Sequence, residues 1–258
     1  DGQMLFMLNG VKKLKEGSGR MAIIQNGSSL FTGDAGSGAS EIRRYVIEGD
    51  LVEAIIQLPT DLFYNTGIST YIWVLTKGKA MHRSSKVQLI DASKCFVKRR
   101  KNIGSKRVDL DDACIDLILR AYEDFGNETY EDNGLVVESK VFDNRFFGFT
   151  KVTVETAQAD AKGKPVLKKG KKQPVKGASD TEIIPMGQDM NEYMEMNVLP
   201  YNPLAYIDRS KNKVGYEVPF TRLFYKFEAP ASSDSIFEEI KALEAEETIL
   251  MKELFGHA

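Results

Sequence analysis

The chain has 258 residues, of which 42% are hydrophobic and 28% charged, and its formal net charge at pH 7 is -2. This composition is typical of a water-soluble protein with one large or two smaller cores, and no apolar run approaches the length of a membrane span. A net charge this small argues against indiscriminate nucleic-acid binding. With 2 cysteines and 2 histidines, neither a disulfide scaffold nor a zinc site is expected, and the predicted compartment is a reducing cytoplasm.

The first part of the chain predicts a helix, a strand and a second helix. Apolar positions recur on one helical face from Met4 to Leu14, and a glycine stop signal follows. A short strand is predicted from Met21 to Ile24. The second helix is predicted from Glu41 to Ile47, with Ser40 as its N-terminal cap and Gly49 as its stop.

A glycine-rich segment, Gly33–Gly38, lies between that strand and that helix, where phosphate-binding loops are found. Its glycine spacing matches that of a Walker loop. A nucleotide-binding loop would continue with lysine and then serine or threonine, whereas this chain continues with Ala39 and Ser40. Nucleotide binding is therefore rejected, and the glycines are expected to form a sharp surface turn.

Two continuously apolar runs, Ala54–Leu58 and Tyr71–Leu75, predict interior strands that are covered on both faces. The loop between them contains an aromatic pair, Phe63 and Tyr64. Loops on a rigid, buried sheet often carry binding or catalytic residues. This aromatic pair is consequently the first candidate functional site.

The alternation of helices and strands predicts an α/β fold, the back half of a Rossmann-like (doubly wound) sheet. A further strand is predicted at Val87–Ile90, and an amphipathic helix at Asp111–Phe125. The apolar positions of that helix include Leu117, Leu119, Ala121 and Tyr122. The order then becomes irregular α+β, with strands near Val136–Val137 and Lys151–Glu155, before a C-terminal helix.

Two basic clusters stand out against the small net charge. The first cluster, Lys98, Arg99, Arg100 and Lys101 followed by Lys106 and Arg107, lies on the connection between a predicted strand and a predicted helix, where it suits contacts with a phosphate backbone. A merely solvated loop stays open as the alternative. The second cluster, Lys162–Lys176, alternates lysine with glycine and proline and predicts a mobile linker or a surface hairpin tip.

The C-terminal helix has the pattern of a partner-binding helix. Ser235 and Glu238 fit a capping box, and Gly256 is the stop signal. A heptad-like apolar seam runs between them through Ile236, Ile240, Leu243, Leu250 and Leu254, and Glu247 interrupts it. Packing on its own domain and docking on a partner protein both stay open.

The segment from Leu58 to Lys79, with LPTDLFYNTGIST followed by IWVLTKGK, resembles the modification (methylation) subunit of type I restriction-modification systems. The upstream segment GRMAII followed by NGSSLF and the downstream segment YID followed by KVGYEVPF are also similar to this family. These subunits are adenine-N6 DNA methyltransferases. The resemblance covers most of the chain and implies a C-terminal portion of such a subunit.

Two family motifs are not found in the sequence: the glycine-rich turn that binds S-adenosylmethionine and the Asn-Pro-Pro-aromatic tetrapeptide that holds the target amino group. The resemblance therefore implies the cofactor S-adenosylmethionine for the whole enzyme, while neither catalytic nor cofactor residues are assigned here. The chain opens at Asp1 without a methionine, and a longer protein with an upstream catalytic half is expected. This portion alone is expected to be inactive.

The resemblance also implies roles for particular residues. Phe63, with Tyr64 as second choice, would stack on an adenine flipped out of the duplex, and the first basic cluster would contact the DNA backbone. It leaves open a phosphate contact at the glycine-rich loop, where Arg43 and Arg44 follow. DNA and the specificity subunit are the expected partners, and the restriction subunit is a further one. A non-catalytic DNA- or protein-binding module that kept the fold is the alternative.

Four parts are predicted along the chain. Residues 1–93 form the C-terminal part of the methyltransferase core, and residues 94–155 form a helical, basic extension. Residues 156–180 are a lysine-rich linker, and residues 181–258 form a region that ends in the partner-docking helix.

Overall fold

Helices and strands alternate through the first part of the chain, and the computed structural model describes residues 2–227 and 229–256. The helices are α1 (Gly2–Lys13), α2 (Ser28–Phe31), α3 (Gly38–Glu48), α4 (Asp112–Asp124), α5 (Met190–Asn197), α6 (Phe220–Phe224) and α7 (Ser233–Phe255). Within the described ranges no helix is long and apolar enough to cross a lipid bilayer.

The strands have the following bounds: β1 (Arg20–Asn26), β2 (Val52–Gln57), β3 (Thr70–Thr76), β4 (Lys86–Lys94), β5 (Val97–Ile103), β6 (Lys106–Asp109), β7 (Glu128–Asp132), β8 (Leu135–Asp143), β9 (Gly148–Ala157), β10 (Leu167–Lys168), β11 (Lys171–Lys172), β12 (Pro174–Pro185), β13 (Ala205–Ile207) and β14 (Lys213–Tyr216). Two compact units are formed, one up to Phe224 and one from Tyr225 onward. The division into four parts predicted above stays a prediction.

The main unit contains a six-stranded sheet in the order β1-β3-β2-β4-β8-β7. β2 and β4 are parallel, whereas the other neighbouring pairs of this sheet are antiparallel. The predicted α/β class is confirmed as a mixed sheet with helices. The expected doubly wound back half is not confirmed, because β3 returns from β2 as a hairpin and inserts between β1 and β2.

One edge of this sheet collects the ends of several strands. β1, β2 and β4 run in the same direction, because β3 lies antiparallel between β1 and β2. Their last residues, Asn26, Gln57 and Lys94, therefore lie at one edge, which we call the carboxyl edge. α3 connects the end of β1 to the start of β2, so it runs from the carboxyl edge back to the opposite, amino edge.

Both faces of the central strands β2 and β3 are covered, which explains the apolar runs. Five of the six residues of β2 are buried, and this confirms the prediction of an interior strand. One face packs against α1, α3 and α6 around the fully buried Trp73, whose Nε1 donates a hydrogen bond to Ser29 Oγ at 3.1 Å. The other face packs against α4 through residues such as Leu117 and Ala121.

Both predicted N-terminal caps are wrong by three residues. α3 is capped by Ser37, whose side chain accepts a hydrogen bond from Ser40 N at 3.4 Å. α7 is capped by Ser232, which accepts from Ser235 N at 3.1 Å. In each case the earlier serine has extended backbone and a hydroxyl that reaches the unpaired N–H groups of the first turn, so the helix begins sooner than the sequence indicates.

Two side-chain predictions are also corrected. Leu119 is 48% exposed, because the buried face of α4 passes through Cys114, Leu117 and Ile118 instead. Arg43 is 1% exposed, and its guanidinium donates to backbone carbonyls of Ser29, Thr32 and Tyr216. Because the Arg43 guanidinium is buried and its donors are bonded to carbonyls, it stabilises the fold and is not available to a phosphate.

A second sheet belongs to the same unit, with the order β12-β9-β13 and with β14 also paired to β9. The lysine-rich segment connects β9 to β12, and it contains the antiparallel hairpin β10–β11. Of the two alternatives that the sequence left open for this segment, the structure shows the surface hairpin.

The unit from Tyr225 onward contains the long helix α7. No residue of α7 is buried. Every apolar residue of its seam is at least 46% exposed, namely Ile236, Ile240, Leu243, Leu250 and Leu254.

Candidate functional site

The aromatic loop, residues 58–69, connects β2 to β3 at the carboxyl edge. A hydrogen bond from Leu58 N to Thr70 O, 2.8 Å long, closes its base. Asp61 adopts a left-handed backbone conformation with φ 58°, and Phe63 pairs with Thr66 in an isolated bridge. The tip of the loop is consequently a short, hydrogen-bonded turn mounted on two buried strands.

The connection after β4 folds back onto this loop as a β-hairpin of β5 and β6, which we call the basic hairpin. Arg107 N donates to Asp61 O at 2.8 Å, and Ser105 N donates to Tyr64 O at 2.9 Å. Gly104 makes the approach possible, because a Cβ at this position would lie 2.5 Å from Tyr64 O. Two segments that are far apart in the sequence are therefore joined by backbone hydrogen bonds.

A cation lies beside the ring of Tyr64. Lys106 Nζ is 5.3 Å from the ring centroid, a cation–π distance worth about 0.5–1 kcal/mol at an exposed site. Asp109 holds this cation, with Oδ1 2.7 Å from Lys106 Nζ, and it also accepts a hydrogen bond from Arg99. The hydrogen bond from Lys106 is the main cause that lowers the pKa of the Asp109 carboxyl. The carboxylate stays ionised and fixes the lysine under the ring.

The four basic residues predicted to contact DNA lie on β5, so their connection is a strand and not an irregular loop. Lys98, Arg100 and Lys101 are exposed and have no ion pair among the described residues. Arg99 is only partly exposed and is paired with Asp109. The hairpin thus presents three free cations, while the fourth is engaged within the hairpin.

The two aromatic residues differ in accessibility. Phe63 is half-buried in the loop, whereas the side chain of Tyr64 is 62% exposed. Ile68, on the other side of the loop tip, is 55% exposed. The structure joins the predicted aromatic pair, through residues 104–107, to the hairpin that carries the predicted basic cluster on its other strand. It presents more of the Tyr64 ring than of the Phe63 ring.

Sequence reasoning did not single out the polar turn at the end of β1. Asn26 Oδ1 accepts hydrogen bonds from Ser28 N at 3.1 Å and from Ser28 Oγ at 2.5 Å. Beside it, Gln25 Oε1 and Thr70 Oγ1 are buried without a hydrogen-bond partner among the described residues. The sequence signal for this turn was the run of Asn, Gly and Ser directly after a strand.

Two polar side chains of the glycine-rich loop are not available to hold S-adenosylmethionine. The glycine-rich loop that precedes α3 has its carboxylate and its hydroxyl engaged: Asp34 pairs with Lys151 at 2.8 Å, and Ser37 caps the helix. A cavity of about 820 Å³, lined by Glu48, Tyr216 and other residues, lies at the amino edge, away from the aromatic loop. No residue is therefore assigned to the cofactor, and no step is derived through it.

Across residues 2–227 and 229–256, no three His, Cys, Asp or Glu side chains cluster closely enough to hold an ion.

The sequence was compared with known protein families and with curated proteins. Residues 1–159 match the family described as N-6 DNA Methylase. The type I restriction enzyme MjaIX methylase subunit of Methanocaldococcus jannaschii is 33% identical over 163 residues, which is 62% of this chain and 26% of that protein. The HindI methylase subunit of Haemophilus influenzae is 30% identical over 156 residues, which is 59% of this chain and 34% of that protein.

These relatives are much longer than the part that is matched. A third one, the MjaVII methylase subunit of Methanocaldococcus jannaschii, is 34% identical over 95 residues, or 35% of this chain and 16% of that protein. The chain thus spans about a sixth to a third of the length of these three relatives. Among solved structures, the type I restriction-modification system methyltransferase subunit from Streptococcus thermophilus is 29% identical, with a TM-score of 0.46, over 56% of this chain and 27% of that one.

The match to the N-6 DNA Methylase family extends over more than half of the chain, and it includes the aromatic loop and the basic hairpin. The chain therefore belongs to the N-6 DNA methylase family.

Proposed function

We propose that this chain is one portion of an adenine-N6 DNA methyltransferase that transfers a methyl group from S-adenosylmethionine to DNA within a type I restriction-modification complex. Family membership and the similarity to type I methylase subunits support this proposal. The observation that carries it is the docking of the basic hairpin on the aromatic loop at the carboxyl edge. Ligands of open α/β sheets bind outside the carboxyl ends of the strands.

The chemistry requires a wall against which the target base can stack. The amino nitrogen of adenine is a poor nucleophile because its lone pair is delocalised into the ring. An enzyme that acts on it must take the base out of the duplex and hold it in a pocket. The aromatic loop would supply a stacking face for the flipped adenine, through Phe63 or Tyr64, and stacking of this kind is worth about 1–3 kcal/mol per base.

The basic hairpin would hold the DNA beside the extruded base. Lys98, Arg100 and Lys101 present unpaired cations on β5, the strand paired with the one that docks on the aromatic loop, and they can contact phosphates there. Arg99, which was predicted as a fourth contact, would act from its ion pair with Asp109. Because backbone hydrogen bonds join hairpin and loop, phosphate contacts and base stacking would be set in one geometry.

The long helix α7 would dock on a partner protein. Its exposed apolar seam has the spacing of a coiled-coil face, and an exposed apolar patch of this kind marks a site of protein–protein interaction. We assign the specificity subunit of the same system as that partner, with the restriction subunit as a further member of the complex. Recognition of the DNA sequence would belong to the specificity subunit.

The test replaces the aromatic residues one at a time in the complete methyltransferase. Phe63→Ala and Tyr64→Ala each remove one aromatic ring. Substitution of the ring that stacks on the base should lower methyl transfer by about 5- to 150-fold. A fluorescent adenine analogue at the target position would report base extrusion in the same variants. Tyr45→Ala is the matched control, because Tyr45 is also an exposed tyrosine, 51% accessible, but lies on α3.

The outcomes separate the proposal from its alternative. Loss of methyl transfer and of base extrusion in one loop variant, with Tyr45→Ala unchanged, would support a stacking wall. Unchanged methyl transfer in both loop variants would remove the loop from the pocket. Binding of DNA without any methyl transfer by the complete unmodified protein would favour a non-catalytic binding module that kept the fold.

A further inference from the structure

The segment from residue 161 to residue 176, which we call the lysine arm, concentrates positive charge. It contains seven lysines, Lys162, Lys164, Lys168, Lys169, Lys171, Lys172 and Lys176, and no acidic residue, so it carries +7 while the remainder of a chain of net charge -2 carries -9. All seven lysines are exposed. None of them has an ion pair among the described residues.

Backbone hydrogen bonds give the lysine arm a defined shape. Gln158 N donates to Gln173 O at 2.7 Å, and Val166 N donates to Gln158 O at 2.8 Å, which extends the ladder of β9 and β12 into the arm. At its tip, Lys169 and Gly170 have φ of 53° and 75°. Positive φ at both central residues is the requirement of a type I′ two-residue hairpin, so the cations are displayed on a folded turn.

One aromatic contact ties the arm to the sheet. Lys172 Nζ lies 5.1 Å from the ring centroid of Tyr206 on β13, and the Tyr206 hydroxyl donates to Lys172 O at 3.3 Å. The other six ammonium groups have no partner among the described residues. Like charges this close together repel one another, and a polyanion that neutralises them would relieve the repulsion.

The path of β9 shows to which end of the main unit the arm extends. At the start of β9, Gly148 pairs with Tyr216, whose hydroxyl donates to Glu48 at the last residue of α3. Three residues later, Lys151 pairs with Asp34, which precedes the first residue of α3. The backbone of Tyr216, however, contacts the first half of α3, since Tyr216 N donates to Ser40 Oγ at 3.1 Å. β9 therefore begins beside the first half of α3 and leaves the helix past its N-terminal end, opposite to the direction of α3.

Since α3 runs from the carboxyl edge to the amino edge, β9 runs toward the carboxyl edge. The arm continues from the end of β9, so it lies toward the end of the unit that carries the aromatic loop and the basic hairpin. A duplex laid across this end would offer phosphates to both basic elements, because its charges continue beyond the target base at one per about 1.7 Å of helix axis.

We propose that the lysine arm binds the phosphate backbone of duplex DNA next to the target site, as a contact separate from the basic hairpin. Lysine side chains on a hairpin tip contact phosphates as point charges and do not read bases. The arm thus contributes sequence-independent affinity, whose signature is its salt dependence. The inference rests on the proposed function, because it takes DNA as the substrate.

The experiment measures the salt dependence of binding by the full 258-residue chain to a short duplex of arbitrary sequence, by fluorescence anisotropy. The arm variant is the triple substitution Lys168→Gln, Lys169→Gln and Lys171→Gln at the tip. Each lost phosphate contact lowers the slope of log K against log salt by about 0.9, so the triple variant should lose a slope of up to about 2.7.

The matched control removes the same charge elsewhere. Lys12→Gln, Lys13→Gln and Lys15→Gln neutralise three exposed lysines at the end of α1, just before β1 begins at the amino edge. This control should keep the slope of the unmodified chain. A further variant with arginine at Lys168, Lys169 and Lys171 keeps the charge and should keep the slope, which shows that a loss in the glutamine variant follows the charge and not the replacement of these three side chains as such.

A loss of slope in the glutamine arm variant, with the α1 control and the arginine variant unchanged, supports the inference. Equal slopes in the arm variant and the α1 control overturn it, and so does a duplex that the unmodified chain does not bind. Vesicles that contain anionic lipid test a membrane surface as the alternative polyanionic partner. If the glutamine arm variant loses vesicle binding but keeps DNA binding, the arm is assigned to a membrane surface. The methyl-transfer assay of the Phe63 and Tyr64 variants does not depend on the outcome of these binding experiments. The inference about the arm and the proposed function can therefore fail independently, and the two failures are distinguishable.

Discussion

Gly104 is the residue on which the docking of the basic hairpin depends. Its φ is +59°, and an added Cβ would lie 2.5 Å from the carbonyl oxygen of Tyr64. Gly104→Ala should therefore cost about 1–2 kcal/mol for the left-handed backbone, and it should in addition push the hairpin away from the loop. We expect a lower denaturant midpoint and weaker binding of duplex DNA.

Gly134 provides the control for backbone strain alone. Its φ is +84°, and nothing lies within 4 Å of the Cβ that a substitution would add. Gly134→Ala carries the conformational cost without the steric contact. Equal losses of stability in Gly134→Ala and Gly104→Ala, with DNA binding unchanged in both, would contradict a docking role for Gly104.

The two cysteines should be unreactive in the folded protein. Both are buried, and burial raises the pKa of the Cys95 thiol to about 12. A thiol reagent attacks the thiolate, so at pH 8 modification should wait for unfolding. Ser235→Cys, which places a thiol on the exposed helix α7, should react at once and serve as the internal reference.

The raised pKa also fixes the direction of a pH effect. The folded-state pKa of Cys95 lies above the unfolded value of about 8.5–9. Its contribution to stability is therefore complete below that unfolded value and is lost as the pH rises toward 12. Rapid modification of Cys95 in the native protein at pH 8 would contradict its burial against α4.

At the residue scale, the sequence predicted the position of the aromatic pair in a loop between buried strands, but not the contacts of that loop. Phe63 and Tyr64 could be found because they interrupt two apolar runs that only interior strands explain. The pairing of Arg99 with Asp109 and the place of Lys106 beside Tyr64 could not be found. Those contacts depend on the hairpin register and on the docking of one loop on another, which no local pattern encodes.

At the scale of elements, local signals predicted existence better than boundaries. α1, β1 and α4 lie where periodicity placed them, since a buried stripe leaves a strong pattern. Both predicted caps missed because Ser37 precedes Ser40 and Ser232 precedes Ser235, and each earlier serine offers the same hydroxyl. The strand order could not be predicted from local sequence patterns, because the insertion of β3 between β1 and β2 depends on tertiary packing.

The seam of α7 should matter for assembly and not for folding. Leu243 is 59% exposed, and no residue of α7 is buried. Leu243→Glu should therefore change the free energy of unfolding by no more than about 0.5 kcal/mol, as surface substitutions do. The same substitution should abolish binding of the specificity subunit, measured by co-purification, because it places a charge in the middle of an apolar interface.

Ala245→Glu is the matched control, because it adds the same charge to α7 two positions away, on the other side of the helix. Binding of the specificity subunit should survive it. If Leu243→Glu also leaves binding intact, the seam is not the docking face.

At the scale of the whole molecule, positive charge and sheet direction point to the same end. The basic hairpin follows β4 at the carboxyl edge, and the lysine arm extends from β9 toward that edge. A chain with a net charge of -2 can therefore present a basic surface to DNA, because charge segregation and not the total sets the local field. Composition alone argued against nucleic-acid binding only because it averages over this separation.

The expected absence of a cofactor site from this chain predicts how it responds to S-adenosylmethionine, the methyl donor. A calorimetric titration of the purified chain with S-adenosylmethionine should give no saturable heat, because the glycine-rich loop before α3 has its carboxylate paired with Lys151 and its serine used as a cap. The same preparation should bind a short duplex at low salt through its basic elements, which verifies that the protein is folded. Saturable binding of the methyl donor in the micromolar range would mean that these residues contain a complete cofactor site. The chain would then hold the catalytic centre itself, and the aromatic loop would have to be placed against that site instead of being the outer wall of a pocket completed elsewhere.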